Sequence, residues 1–191
     1  MVRRILTLLL VASSLLLFSG CEFWTLGGAV YTAPKNAFTV RVPAGWSSTT
    51  GLRNDLLMTR DGALLQTITI NAAELKKALP YTERELSPQL TSYELAETIA
   101  GDLRSDPNRI GFSVLTNEPA TIDGHRGFKL TVTYLSESNL RLQETRYGFV
   151  AGDELWTLAL RAPQRHYHSR DLPVFEAVVQ SFHVGASAAG N

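Results

Sequence analysis

Cysteine is nearly absent from this chain: Cys21 is the only one in 191 residues. A lone thiol has no partner within the chain, which excludes an internal disulfide framework and any cysteine-rich metal site. Histidine is scarce as well, with four residues. No apolar run reaches the roughly 20 residues needed to span a bilayer. The best stretch, Ile5 to Phe18, is interrupted by Thr7, Ser13 and Ser14. Net charge is missing too, since 18 Lys and Arg balance 18 Asp and Glu without blocks of like sign. That argues against generic nucleic-acid binding, which works by neutralising phosphates. Two signatures of chemistry are also lacking, the Gly-x-Ser-x-Gly elbow and the Gly-x-x-x-x-Gly-Lys phosphate loop, so no cofactor is implied.

What is present begins at the amino end. In "MVRRILTLLLVASSLLLFSG", Arg3 and Arg4 precede the apolar run, and small Ser19 and Gly20 close it. This is the pattern of an export signal over residues 1–20, with the paired basic residues held in the cytoplasm. Its end, "FSGC", resembles the lipobox of bacterial lipoproteins, with Phe18 where Leu is commonest. The resemblance implies cleavage before Cys21, a diacylglycerol on its sulfur and acylation of the new amino group. The lone thiol would then be a membrane attachment. One acyl chain binds marginally, whereas two or three hold essentially permanently. Glu22 follows, not the aspartate that resembles an inner-membrane retention signal, so an outer-membrane anchor with the domain facing the periplasm is expected. Losing residues 1–20 leaves 16 basic against 18 acidic residues, a slightly acidic mature chain.

Residues 21–34, "CEFWTLGGAVYTAP", read as a short tether, with Phe23 and Trp24 placed either at the membrane interface or tucked onto the domain. Residues 185–191, "GASAAGN", read as a disordered tail. Between them, 35–184 should form one domain. "FTVRV" alternates as a strand, and "DLLMTR-DG-ALLQTITI" reads as a hairpin about Asp61 and Gly62. "FSVLTNEPATI", "GFKLTVTYL", "LRLQETRYGFV" and "ELWTLALRAP" follow with connections so short that the strands must be antiparallel. Thr91 and Glu94 make a capping box for a helix with Leu95, Ile99 and Leu103 on one stripe, stopped by Pro107. A second helix, "DLPVFEAVVQSF", takes Asp171 as its cap. Residues 72–90 lack a clean period and read as a long loop with room for one helical turn, functional or mobile.

"FTVRVPAGW" resembles the opening of small exported proteins of the PsbP type. The order of capped helix, "VLTNEPATIDGHRGFKLTVTY", "YGFVAGDELWTLALRAP" and "FEAVVQSF" is similar to the DcrB-like envelope lipoproteins of that superfamily. The resemblance covers residues 35–184, with 72–90 the clearest departure. It implies an α+β fold, an antiparallel sheet of about six to seven strands flanked by helices and ending in a meander, without shared catalytic residues.

Alternation assigns Phe38, Val40, Val42, Ile68, Ile70, Phe128, Leu130, Val132, Tyr134, Trp156, Leu158 and Leu160 to one buried face. Thr39, Arg41, Thr67, Thr69, Lys129, Thr131, Thr133, Thr157 and Arg161 fall on an opposite, wet face. On that wet face Arg41, Lys129 and Arg161 form a candidate surface for an anionic or acidic partner, if the strand order brings them together. "APQRHYHSRD" concentrates His166, His168, Ser169 and Asp171. Neither a metal site nor a triad is expected from it: His125 and His183 are far off in sequence, and a triad draws on separate elements. His125 and Arg126, beside the Asp123 and Gly124 turn, should project into solvent. The expectation is a non-catalytic envelope binding or assembly protein, with membrane contact through lipid on Cys21. A small-ligand or lipid carrier is the alternative, and a hydrolase or metal enzyme using 166–171 the least favoured one.

Overall fold

The computed structural model describes residues 24–51 and 54–185. The export signal, Cys21 and the tail beyond residue 185 lie outside the described residues. Strand pairing begins at Thr25, so most of the expected tether is part of the fold. Two short strands form there, β1 (Thr25–Leu26) and β2 (Val30–Thr32). They are followed by β3 (Phe38–Arg41), β4 (Ser47–Gly51), β5 (Asn54–Thr59) and β6 (Thr67–Glu74). After helix α1 (Ser92–Arg104) come β7 (Ile110–Ile122), β8 (His125–Leu135), β9 (Arg141–Ala151) and β10 (Glu154–Pro163). Helix α2 (Ser169–Gln180) and β11 (His183–Val184) end the described chain.

The strands build an eight-stranded antiparallel sheet in the order β1-β4-β5-β6-β10-β9-β8-β7, and a three-stranded sheet β11-β3-β2. The α+β class and the carboxy-terminal meander hold, but the strands outnumber the expected six to seven. The extra ones, β1, β2, β4 and β11, are too short or too polar to show alternation. The β5–β6 hairpin also holds, but its connection is longer than a two-residue turn. Gln66 bridges it, its amide donating to Asp61 Oδ2 at 3.1 Å while its carbonyl accepts from Thr59 Oγ1 at 2.8 Å.

The expected single buried face is corrected by the register. In an antiparallel sheet, directly opposed residues share a face. Trp156 opposes Phe149, and Phe149 opposes Gly127; Thr157 opposes Gly148, and Gly148 opposes Phe128. Phe128 and Trp156 therefore point to opposite sides. Ile68, Ile70, Trp156, Leu158 and Leu160 join Phe38, Val40 and Val42 under α2, with Phe175, Val178 and Phe182. Phe128, Leu130, Val132 and Tyr134 pack instead under α1, with Leu95, Ile99 and Leu103. Both faces are covered, giving three layers. The threonines expected on a wet face are consequently buried at Thr67, Thr131, Thr133 and Thr157.

The capping box forms as read: Glu94 N donates to Thr91 Oγ1 at 3.3 Å, and Thr91 N donates to Glu94 Oε2 at 2.9 Å. Helix α2 departs from expectation. It starts at Ser169, two residues before the anticipated cap, after a kink at Arg165 and His166, whose backbone is non-helical. Asp171 lies inside the first turn, fully buried.

Residues 72–90 are not a free loop. Leu75, Leu79 and Leu86 are buried in the α1 core. Asp102 of α1 ties the segment down, its Oδ1 accepting from Tyr81 N at 3.0 Å, Thr82 N at 2.8 Å and Thr82 Oγ1 at 2.9 Å.

Candidate functional site: an arginine-walled cleft on the α1 face of the meander

Strand β9 alternates Leu142, Glu144, Arg146, Gly148 and Val150 toward α1. Two charged side chains thus stand in one row two residues apart, where a β-strand places neighbours on the same face. Gly148 is required in that row because the Phe128 ring lies across it. An added Cβ would stand 2.6 Å from the ring carbons.

Glu144 is the centre of the site. It is 2% exposed and is held from both sides. Arg146 donates Nε and Nη2 to Oε1 at 3.0 and 2.7 Å. Arg109, on the turn after α1, donates Nη1 to Oε2 at 2.9 Å and Nε to Asp106 Oδ2 at 3.2 Å. The Arg109 guanidinium also lies 4.5 Å over the Tyr134 ring. Burial alone would raise the Glu144 carboxyl, but the Arg109 and Arg146 charges win and hold it at about 2. Tyr134 is pushed up to about 12, first by burial and then by the Glu144 charge. Burial would likewise lower Arg109, yet Glu144 overrides it and raises the guanidinium. Both ends of the acid–base range are therefore locked in one protonation state at neutral pH.

Above this cluster a cleft of about 760 Å³ opens, walled by Tyr81, Asn108, Arg109, Tyr134 and Arg161 and rimmed by Leu64 and Leu140. Arg161 is exposed and makes no ion pair among the described residues. In the strand register it opposes Glu144. A smaller recess of about 330 Å³ continues beneath the 75–86 segment past Arg146, Asp102 and Thr157.

The structure does not bring Arg41, Lys129 and Arg161 onto one surface. Arg41 is exposed on β3 of the small sheet. Lys129 opposes Tyr147 and faces α2, where its Nζ meets Glu176 Oε1 at 2.7 Å. Tyr147 donates to the other oxygen of Glu176 at 2.5 Å and is pushed up to about 12, first by burial and then by that bond. Arg161 faces α1, on the other side of the same sheet. Cys21 lies outside the described residues.

The 166–171 cluster is likewise dispersed. His166 is exposed at φ 73°, whereas His168 is buried with Nε2 at 3.0 Å from Thr145 Oγ1. Burial pushes the His168 imidazole down, against the opposing pull of Asp171. Ser169 Oγ donates to the His166 carbonyl at 3.2 Å, away from either ring. Asp171 accepts from Arg170 Nε and Nη2, both at 2.8 Å, and Arg170 reaches on to Asp61 Oδ2 at 2.5 Å. The segment is a structural clamp between α2 and the β5–β6 connection. His125 does not project freely; it stacks on Phe149 with ring centroids 4.9 Å apart. Asp123, in the β7–β8 turn, accepts from Val184 N at 2.8 Å and pairs with His183 Nδ1 at 2.8 Å, closing the small sheet.

The cluster of Arg109, Glu144 and Arg146 escaped the sequence reading. Its one sequence signal is "ETR", an acidic and a basic residue at alternate positions inside a strand flanked by apolar side chains. Arg109 carries no such signal.

Together, an antiparallel sheet covered on both faces and a polar cleft against α1 make a three-layered α+β domain. The chain matches no protein-family model and no curated protein sequence. Solved structures do match. Cyanobacterial PsbP from Synechocystis is similar at TM-score 0.57 and 16% identity, over 87% of this chain and 95% of that one. The yeast Ran-binding protein Mog1p superposes at TM-score 0.56 and 13% identity, over 87% and 100%. LpqN of Mycobacterium tuberculosis, described as involved in cell envelope biogenesis, gives TM-score 0.54 and 14% identity, over 86% and 91%. At such identities the shared property is the PsbP-like fold.

Proposed function

We propose that this chain is a lipid-anchored protein of the bacterial cell envelope with a non-catalytic binding or assembly role. Its partner presents a carboxylate or another anionic group to the cleft beside Arg161. The observation that carries this reading is Arg161 itself, an exposed cation at the mouth of the cleft that makes no ion pair among the described residues, beside an Arg109 whose charge is already matched. A binding role is also supported by the locked protonation of Glu144 and Tyr134, neither of which is poised to move a proton near neutral pH. The envelope setting draws on the "FSGC" lipobox ahead of the fold and on the DcrB-like order of its motifs.

The test is crosslinking in the native envelope, comparing wild type with Arg161→Glu and Arg41→Glu. Loss of a crosslinked partner with Arg161→Glu alone, and weakening of that contact as salt rises, are the expected results. A correctly folded Arg161→Glu protein that keeps every crosslink would overturn the assignment of the cleft. Separately, Cys21→Ser should release the protein from membranes; a variant that still sediments with them would remove the anchor.

A further inference from the structure

Three large apolar side chains are left exposed within seven residues at one corner of the fold: Trp24 at 41%, Leu26 at 81% and Val30 at 53%. The stretch from Phe23 to Pro34 carries no charged residue. Strand β1 ends the eight-stranded sheet and β2 ends the three-stranded one, so two sheet edges meet here. Backbone bonds fix the junction: Gly27 N donates to the Trp46 carbonyl at 2.7 Å, and Val42 N donates to the Ala29 carbonyl at 3.0 Å. Between the edges a slot of about 370 Å³ runs from Leu26 and Val30 down to buried Val42 and Leu56. Exposed Arg41 opposes Val30 in the register, exposed Lys35 follows the uncharged stretch in sequence, and the Asp55 charge acts on Tyr31 of the slot lining.

Single apolar side chains on a surface need no partner, but a charge-free apolar edge with a slot behind it does. Chain length decides which partner. Cys21 stands four residues before Thr25, a reach of about 14 Å at most. A domain anchored at Cys21 cannot carry this corner away from the bilayer.

We infer that the β1–β2 corner is the membrane-facing surface of the domain, and that its occupant is the lipid bilayer itself. The inference rests on the lipid-anchor reading of Cys21. Trp24, Leu26 and Val30 enter the interfacial layer, while Arg41 and Lys35 keep their charged ends at the phosphates. The lipids thereby set the orientation of the whole sheet. Strand β9, which carries Glu144, lies five strands from β1 in the sheet order, or about 24 Å at the usual strand spacing. The arginine-walled cleft is therefore held off the membrane and open to a protein partner.

The test uses the mature full-length protein, purified in detergent and reconstituted into vesicles of phosphatidylethanolamine and phosphatidylglycerol. Thiol titration of unfolded wild type comes first: an acylated Cys21 gives no free thiol. Leu26→Cys and Val30→Cys then each supply a single site for a nitroxide label, and Leu115→Cys on β7, the opposite edge of the sheet, serves as control. Electron paramagnetic resonance with oxygen and a water-soluble nickel relaxant reads label depth. The labels at 26 and 30 should lie roughly 5–10 Å below the phosphates, with the label at 115 in water. Labels at 26 and 30 as water-accessible as that at 115, on a chain without a free thiol, would overturn the docking surface and leave the anchor standing. Sheltered labels showing spin–spin broadening would overturn the bilayer as occupant in favour of a second copy. A free thiol on wild type would remove the anchor, and the inference with it.

Discussion

Replacing Glu144 with Gln removes the carboxylate between Arg109 and Arg146 while preserving its shape. The wild-type carboxyl falls from an ordinary 4.5 to about 2. At about 1.4 kcal/mol per pH unit, that is about 3 kcal/mol of native-state stabilisation. The folded value lies below the unfolded one, so this stability is complete above about pH 4.5 and is lost as pH falls toward 2. Glu144 is almost wholly buried, so solvent screening removes little of it. The substitution also leaves Arg146 without a carboxylate and Arg109 with Asp106 alone, their side chains 18% and 11% exposed, and breaking a buried pair in this way typically costs about 3–5 kcal/mol. Urea unfolding at pH 7 should show that loss. Between pH 5 and 3 the variant should lose stability less steeply than wild type, by about the contribution of one proton. A Glu144→Gln protein within about 1 kcal/mol of wild type at pH 7, with an unchanged slope below pH 5, would refute the reasoning.

Gly148→Ala should destabilise by about 1–3 kcal/mol, because its Cβ would press into the Phe128 ring; a variant as stable as wild type in denaturant would show that the ring can move aside. Asp102→Ala removes the acceptor shared by Tyr81 N, Thr82 N and Thr82 Oγ1. Amide exchange at Tyr81 and Thr82 should accelerate while the sheet amides keep their protection; unchanged exchange would mean that Leu79 and Leu86 alone hold the segment. His168, pushed down by burial, favours the neutral ring in the folded state. Its contribution to stability is complete above about pH 6.5 and is lost as pH falls below. An NMR titration should place its midpoint under 6.5, and a value at or above that would contradict the burial argument.

Much of this architecture is written locally. The capping box of Thr91 and Glu94 is legible because its partners are three residues apart, and Ser92–Arg104 forms as read. The meander is legible because turns as short as Asp123–Gly124 admit only antiparallel neighbours. Alternation likewise tells which residues of one strand share a side. It cannot say which side, since each strand offers a binary choice that only pairing resolves. That is why Phe128 and Trp156, both correctly seen as core, belong to different cores, and why Lys129 and Arg161 stand on opposite faces. Short strands such as β1 and β4 exist only because an edge is there to receive them. The ion cluster is more remote still: Arg109 and Glu144 are 35 residues apart. Their partnership follows from the turn after α1 lying over β9, and a charge is tolerated there only because its opposites arrive from elsewhere in the chain. Local hydrogen bonding and periodicity therefore determined the elements of this protein. Strand register and burial on two faces, which are properties of the assembled sheet, decided which charges meet and that Arg161 faces the cleft without an ion pair among the described residues.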